Sequence, residues 1–287
     1  MGSLSIIWEG KFMSVESKSG KRVVHIVLII GAISMLTPFI WMLLTSLKTL
    51  TEATRIPPVI FPRSFKWSNY TEVTKLLPFG TFYLNTILMI IGRVACAVVF
   101  SSMAAYAFAR LEFPGKNFFF MIILIQMMVP SQIFIIPQFL LVLKLGWLNS
   151  VKALIVPGVV SAFGTFLLRQ FFIGIPVELE EAAILDGCNK WQIYTKIMMP
   201  LAKSGLVALG IFTSLFAYKD LMWPLIVNMS TNKMPLAAGL ASLQGQYMTH
   251  YEQIMAGSMI AIWPMLLIFI IFQKQFIQGI ASTGSKS

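Results

Sequence analysis

Four acidic side chains lie within nine positions of one another in a chain that has only 11 such residues: Glu178, Glu180, Glu181 and Asp186. Pro176 stands just before them, and proline is favoured in the first turn of a helix, where its missing N–H is not needed. Carboxylates in that turn are stabilised by the positive end of the helix dipole. The residues therefore predict a helix that begins near Pro176, with acids at its amino end.

The residues after this acidic helix predict a turn and a second helix. Gly187 is a natural stop, since glycine adopts the left-handed conformation that often ends a helix. Asn189 can cap a second helix with Gln192 in the reciprocal capping position, and Pro200 stands where that helix must bend or give way to the next. The stretch 176–200 is thus predicted to be helix, glycine turn, helix.

Two roles fit this polar stretch. Ala182 and Ala183 are small residues beside Glu181, so a partner protein can approach the backbone closely while the carboxylate meets a donor. In the other interpretation, the stretch is an ordinary loop whose acids only cap a helix. The residue types alone leave both interpretations open.

Three further charged residues lie inside long apolar segments: Arg93, Lys219 and Asp220. A charged side chain costs about 2.5–3.5 kcal/mol at the centre of a membrane helix on insertion scales, so these residues are expected to face the bundle interior, a cavity or each other. Asp220 is one possible partner of Arg93. For Lys219 and Asp220, two interpretations remain: either they line a translocation pathway, or the lysine reaches the membrane interface and the aspartate caps a helix end.

The sequence contains no recognisable motif for ATP binding or catalysis. A P-loop requires G-x-x-x-x-G-K-[ST], but Gly20-Lys21 and Gly115-Lys116 are followed by arginine and asparagine, and neither has a glycine five residues earlier. The two histidines and two cysteines have no spacing typical of a catalytic or metal-binding group. We therefore expect no enzyme activity, cofactor or metal site in this chain.

The composition is that of a membrane protein. The 287 residues are 57% hydrophobic and 11% charged, with a mean hydropathy of +0.80. The net charge of +11 comes from lysines and arginines dispersed among apolar runs, without the dense basic patch of a nucleic-acid-binding protein. The expected partner is the lipid bilayer, with no nucleic acid.

We predict an all-α protein with six transmembrane helices. The predicted spans lie at about 23–47, 79–109, 117–143, 151–172, 201–227 and 254–276, the third bent or broken around Pro130 and Pro137. They form one domain, 23–281, between terminal segments 1–22 and 282–287. The loop 176–200 joins the fourth and fifth spans, and a proline-rich outer loop follows the first. In the second span Ala97, Ser101 and Ala105 recur every four residues and predict a face for close helix contact.

The distribution of lysine and arginine favours both termini in the cytoplasm. With that orientation the inner segments hold 12 of the 22 basic residues, the outer segments hold 8, and Arg93 and Lys219 lie within spans. A cytoplasmic excess of positive charge is the usual pattern, although the difference here is small. The acidic loop is then cytoplasmic.

The polar stretch resembles the EAA loop of ABC-importer permeases. The matching residues are Glu181-Ala182-Ala183, Gly187, and Ile197-x-Met199-Pro200, where the family usually ends I-x-L-P. The runs AAYAFARLEFPGKN, IPQFLLVLKLGWLNS, FGTFLLRQFFIGIPVELEEAA and PLAAGLASLQGQY are similar to the carbohydrate-uptake branch, the group of the maltose-importer subunit MalG. The resemblance covers about residues 25–281. Two departures are Tyr218-Lys219-Asp220, where the family usually has Trp-Asn-Asp, and Arg93, where it is usually small and apolar.

This resemblance implies a permease of the bacterial cytoplasmic (inner) membrane that imports an oligosaccharide or related glycoside by alternating access. The implied partners are a second, homologous permease, two copies of an ATPase subunit that binds ATP and Mg²⁺, and an extracytoplasmic solute-binding protein. The implied coupling residues are Glu181, Ala182, Ala183, Asp186, Gly187, Ile197 and Pro200, with Glu181 as the anchor on the ATPase. Leu185, Trp191 and Ile197 are expected to hold the two short helices against each other and the bundle.

Two alternatives remain open. One is a permease for another polar solute, such as a glycerol-phosphate ester, in which the cations Arg93 and Lys219 would have a larger role in binding the solute. A secondary transporter would need its own ion-coupling site, and the sequence has neither a convincing internal repeat nor a series of intramembrane carboxylates.

Overall fold

The computed structural model describes residues 18–244 and 249–284. Within these ranges every regular element is helical and no strand occurs, which confirms the predicted all-α class. The remaining residues include most of the predicted amino-terminal segment 1–22 and the end of the predicted tail 282–287.

Seventeen α-helices make up the described fold. The first nine are α1 (Lys18–Ser46), α2 (Leu50–Ala53), α3 (Ser68–Leu76), α4 (Phe79–Cys96), α5 (Ser102–Arg110), α6 (Lys116–Met128), α7 (Ile135–Lys144), α8 (Val151–Ile155) and α9 (Ala162–Ile173). The other eight are α10 (Glu178–Leu185), α11 (Lys190–Ile193), α12 (Met199–Leu201), α13 (Lys203–Tyr218), α14 (Met222–Val227), α15 (Leu236–Ala241), α16 (Tyr251–Ala261) and α17 (Trp263–Gly284). Short π-helices, Ala97–Ser101 and Tyr194–Met198, connect α4 to α5 and α11 to α12.

In the described part of the chain, three helical stretches are long and apolar enough to cross a bilayer alone: Gly20–Ser46, Phe79–Arg110 and Tyr251–Gln273. Three helix pairs meet the same criteria only together, because each is bent. The bends are 102° between Lys116–Met128 and Ser131–Lys144, 46° between Val151–Gly158 and Ala162–Ile173, and 75° between Lys190–Leu201 and Lys203–Tyr218. Six crossings result if each bent pair is one span, so the number six and the domain limits 23–281 remain predictions.

The predicted spans differ from the helices mainly at breaks. The third span bends at Pro130 as predicted, but Pro137 lies in the first turn of α7, where a missing N–H leaves the helix intact. The fourth span is interrupted after the 3₁₀ turn Val156–Gly158, which contains Pro157. The fifth was predicted as one helix to 227, but α13 ends at Tyr218 and a short α14 follows.

The small-residue face of the second span is confirmed. Ala97, Ser101 and Ala105 are fully buried, and they face α9, where Gly164 lies so close that an added Cβ would stand 3.0 Å from Ser101 Oγ. A buried core of Ala105, Leu168 and neighbouring side chains forms at this contact. The core extends into the loop 176–200, which is therefore packed against the bundle.

The segment between the first and second spans is folded as well. Asn69 donates its amide to the backbone carbonyls of Ser46 and Lys48, which ties α3 to the end of α1. Glu52 accepts backbone N–H groups of Thr49 and Arg63, and these hydrogen bonds lower the pKa of Glu52 below its ordinary value. The predicted outer loop is thus a small helical layer.

Candidate functional site

The acidic stretch folds as predicted into helix, glycine turn and helix. The helix α10 carries Glu178, Glu180 and Glu181 in its first turn, where the dipole favours negative charge. Gly187 has a φ of +84°, and the N–H of Cys188 donates to the carbonyl of Ala183 at 2.9 Å, which closes the helix in a Schellman motif. The turn therefore requires a residue that tolerates positive φ.

The second helix of the loop begins with the predicted cap. The side chain of Asn189 accepts the N–H of Gln192 at 2.9 Å, and the side chain of Gln192 accepts the N–H of Asn189 at 2.8 Å. The helical stretch Lys190–Leu201 then bends by 75° into α13. The bend falls at Ala202, two residues after Pro200, so the loop leads directly into the fifth predicted span.

One face of the acidic helix turns toward the bundle. Glu180 and Ala183, three residues apart and therefore on one side of α10, are each only 5% exposed. Ala183 packs in the same core as Tyr106, Phe172 and Ile193. The loop is held by burial as well as by its covalent ends.

Arg110 fixes the position of the loop. It is the last residue of α5, and its Nη2 donates to the carbonyl of Phe172 at 2.7 Å and to that of Ile175. Its Nε lies 3.1 Å from Glu180 Oε1, with side chains only 11% and 7% exposed. The arginine thus joins the carboxyl end of α5, the end of α9 and the start of α10.

The opposite face of the loop is open. Glu181, Ala182 and Asp186 are exposed, and Leu185 is 88% exposed although it is a large apolar residue. Glu181 and Leu185 are four residues apart and therefore neighbours on the helix surface. We call Glu181, Ala182, Leu185 and Asp186 the docking face. It combines a carboxylate, a small residue and an exposed leucine, and exposed apolar surface bordered by polar groups is typical of protein-binding sites.

Several predicted contacts of the loop need correction. Leu185 and Trp191 do not hold the two short helices against the bundle, since 88% and 58% of these residues is exposed. Ala183 faces the bundle, so close approach of a partner falls to Ala182. Ile197 packs against the buried core, as expected for its contact with the bundle, and its role in coupling to the ATPase stays a prediction. Gly187 and Pro200 are exposed beside the docking face and at the loop's end.

The charged residues of the apolar segments meet at a second location. Arg93 Nη2 lies 2.8 Å from Asp220 Oδ2, and the side chains are 13% and 22% exposed, so Asp220 is the partner of Arg93. Asp220 lies in the break between α13 and α14, and it makes no capping hydrogen bond to α14. The expectation that the aspartate caps a helix end is therefore wrong for α14.

Pro157 leaves backbone carbonyls free to bind side chains from other predicted spans. Pro157 has no N–H to offer the carbonyl of Ala153, and this carbonyl instead accepts the indole N–H of Trp223 at 2.8 Å. The next carbonyl, that of Leu154, accepts Arg93 Nε at 2.7 Å. Two carbonyls of the interrupted fourth predicted span, those of Ala153 and Leu154, thus bind a side chain of the fifth predicted span and one of the second.

A cavity of about 600 Å³ opens beside this ion pair. Its charged lining residues are Arg93, Lys219 and Asp220, so the two predicted cations and the aspartate share one space. The Lys219 ammonium stands 5.1 Å from the ring centroid of Phe216, which also lines the cavity. The bent third span contributes three amide side chains: Gln126, Gln132 and Gln138.

Sequence reasoning missed the contact between Arg110 and Glu180, and it missed the three glutamines. A usable signal existed for the glutamines, since they recur every six residues in an apolar run. No local signal separates Glu180 from its two neighbours, because its partner lies 70 positions earlier. Within 18–244 and 249–284 no group of three or more histidine, cysteine or acidic side chains is placed to hold a metal ion.

The comparisons with known proteins agree with this arrangement. Residues 97–282 match the family described as binding-protein-dependent transport system inner membrane component. The arabinooligosaccharides transport system permease protein AraQ of Halalkalibacterium halodurans is 36% identical over 87% of this chain and 90% of its own length. The sn-glycerol-3-phosphate transport system permease protein UgpE of Pectobacterium atrosepticum is 29% identical over 94% of this chain and 99% of its own length.

A solved structure shares the fold. It is a chain of a bacterial ABC transporter involved in the import of the acidic polysaccharide alginate, with a TM-score of 0.76 and 25% identity over 90% of this chain and 98% of that chain. Members of the family are membrane permease subunits that bind no cofactor themselves and work with an ATPase and a solute-binding protein. The chain belongs to this family of binding-protein-dependent inner membrane components and is a permease subunit of an ABC importer.

Proposed function

We propose that this chain forms half of the translocation pathway of a bacterial ATP-driven importer for an oligosaccharide or related glycoside. A second, homologous permease forms the other half, and two copies of an ATPase subunit bind ATP and Mg²⁺ at the cytoplasmic side. A solute-binding protein delivers the sugar from outside. Both termini and the loop 176–200 lie in the cytoplasm.

The observation that carries this proposal is the two-sided loop. Its inner face is fixed to the bundle by Arg110 and Glu180, whereas Glu181 and Leu185 stand exposed on the docking face. Because the loop is fixed to the bundle, a force that a cytoplasmic partner applies to its open face is transmitted to the membrane helices. The Glu181 carboxylate is the anchor, because an exposed acid accepts hydrogen bonds or an ion pair from a basic partner.

Helical continuity gives the route from the loop to the cavity. The second loop helix leads through the bend at Ala202 into α13, whose 16 residues span about 24 Å at the usual rise per residue. Its carboxyl end is followed by Lys219 and Asp220, which line the cavity. When ATP closes the ATPase subunits, movement of the docked loop therefore reaches the cavity lining, as alternating access requires.

Sugar is favoured as the solute by the lining and by the relatives. Glutamine amides both donate and accept hydrogen bonds, which suits hydroxyl groups, and three of them line the cavity. The AraQ relative belongs to an arabinooligosaccharides transport system. The alternative solute is a glycerol-phosphate ester, which the similarity to UgpE and the cation Lys219 favour.

Replacing Glu181 by alanine is expected to weaken the binding of the ATPase while this subunit stays folded. Uptake driven by ATP should fall by at least about tenfold, because a charged hydrogen-bond partner at the interface is lost. The measurement is uptake in proteoliposomes with the complete complex, together with the amount of ATPase that co-purifies.

The control is Glu112→Ala, which removes an acid that is 89% exposed between α5 and α6, outside the loop 176–200. It should leave uptake and co-purification near the wild-type values. Normal coupled uptake and normal ATPase recovery with Glu181→Ala would refute the assignment of Glu181 as the anchor.

A further inference from the structure

The charges that line the cavity do not cancel. Arg93 and Asp220 neutralise each other across 2.8 Å, and the third charged lining residue, Lys219, remains. Within residues 18–244 and 249–284, no carboxylate oxygen lies within ion-pair distance of Lys219 Nζ. The cavity therefore carries one net positive charge.

The Lys219 ammonium lies near Phe216, which lines the cavity of about 600 Å³. Lys219 also borders a smaller, mainly apolar pocket, but the ring near its ammonium, Phe216, lines only the larger cavity of the two. The residue is exposed, so its charge is accessible to a solute. The three glutamines lie around the same space.

The compensation available to this charge within the described chain is weak. A cation over a phenylalanine ring at an accessible site is only weakly stabilised. The carboxyl end of α13 adds about half a negative charge, which attracts a cation without neutralising it. An exposed lysine at a cavity between predicted membrane spans, with no carboxylate of the described chain beside it, is therefore available to an anionic group of a solute.

We propose that the cargo is an acidic oligosaccharide and that Lys219 binds its carboxylate in the cavity. This inference rests on the proposed function and adds the charge of the sugar to it. The amides of Gln126, Gln132 and Gln138 then bind hydroxyl groups, and the Arg93–Asp220 pair contributes no net charge. A volume of about 600 Å³ lies within the range of ligand sites and exceeds what a three-carbon ester needs.

The test compares uptake of acidic and neutral sugars that match in length and linkage. The complete complex with its binding protein is placed in proteoliposomes and supplied with labelled oligogalacturonates or neutral galacto-oligosaccharides, oligomannuronates or manno-oligosaccharides, and glycerol 3-phosphate or glycerol. The wild-type complex should prefer an acidic sugar. Lys219→Gln should lower the acidic-to-neutral uptake ratio about tenfold, because an ionic hydrogen bond is lost.

Two variants make the comparison specific. Lys219→Arg keeps the charge and should keep most of the preference. Lys144→Gln removes an exposed cation at the end of α7, outside the lining, and should not change the ratio. The same binding protein serves all variants, so a changed ratio belongs to the permease. Recovery of the intact complex shows that each variant folds.

Several results would overturn the inference. These are a wild-type preference for neutral sugars, an unchanged ratio in Lys219→Gln, or an equal fall for acidic and neutral sugars, which would place Lys219 in a subunit contact. Preference for glycerol 3-phosphate over every saccharide would favour the alternative solute. A complex that hydrolyses ATP but takes up no saccharide would contradict the proposed function itself.

Discussion

Arg93→Met is expected to destabilise the folded subunit by about 2–4 kcal/mol, because removal of one member of a mostly buried ion pair leaves the other charge unpaired. Asp220 would stand in the cavity without the guanidinium now 2.8 Å away, and the Leu154 carbonyl would lose its donor. The break between α13 and α14 should loosen with it. The measurement is thermal or denaturant unfolding of the purified complex.

A double-mutant cycle separates the pair from its surroundings. In Arg93→Met combined with Asp220→Leu, no charge remains unpaired, so much of the lost stability should return. Lys144→Met is the control, since it removes a cation exposed at the end of α7. Additive losses in the double variant, or no loss in Arg93→Met, would mean that the contact contributes little to the fold.

Glu180→Gln is expected to destabilise the free subunit by about 2–3 kcal/mol, whereas Glu181→Gln should change its stability by less than about 0.5 kcal/mol. The reason is position: Glu180 is 7% exposed in its side chain and faces Arg110, and Glu181 is exposed on the docking face. Unfolding of the permease without the ATPase measures the difference between these two adjacent, chemically identical substitutions.

The two variants should also differ in how they fail. Glu180→Gln should weaken the contact between the loop and Arg110 of α5, so docking and transport both decline because the loop is held less firmly. Glu181→Gln should leave a well-folded loop with poor affinity for the ATPase. If Glu181→Gln were the destabilising change and Glu180→Gln the neutral one, the assignment of inner and outer faces would be reversed.

The loop could be predicted because its signals are local. The glycine turn at Gly187 and the Asn189–Gln192 cap involve residues at most five apart, and the structure contains both. Which glutamate faces inward depends on Arg110, a contact between residues distant in sequence. Composition and pattern cannot contain that information, so the structural and the docking acid were indistinguishable.

The cavity was predictable in chemistry but not in geometry. The cost of charge in hydrocarbon indicates that Arg93 and Asp220 need partners, and they are partners. The end of α13 at Tyr218 has no glycine or proline to mark it. The break was missed because the interactions beside it, from Arg93 to Asp220 and from Trp223 to Ala153, come from distant parts of the chain.

Family membership settles one of the earlier alternatives. A secondary transporter is excluded, since the chain matches the binding-protein-dependent family over residues 97–282. The solute alternatives differ in charge and size, and the cavity around Lys219 is where this chain can distinguish them.

The most direct test of the coupling loop is labelling of a single cysteine on the docking face. Leu185→Cys is made in a chain whose Cys96 and Cys188 are replaced by serine, and a membrane-impermeant maleimide is applied to either side of oriented vesicles. Ile56→Cys is the control, because Ile56 is 92% exposed in the segment that is predicted to lie outside. We expect Leu185→Cys to react only from the cytoplasmic side and to be protected when the ATPase is bound. Reaction from the outside, or equal reaction with and without the ATPase, would contradict the account.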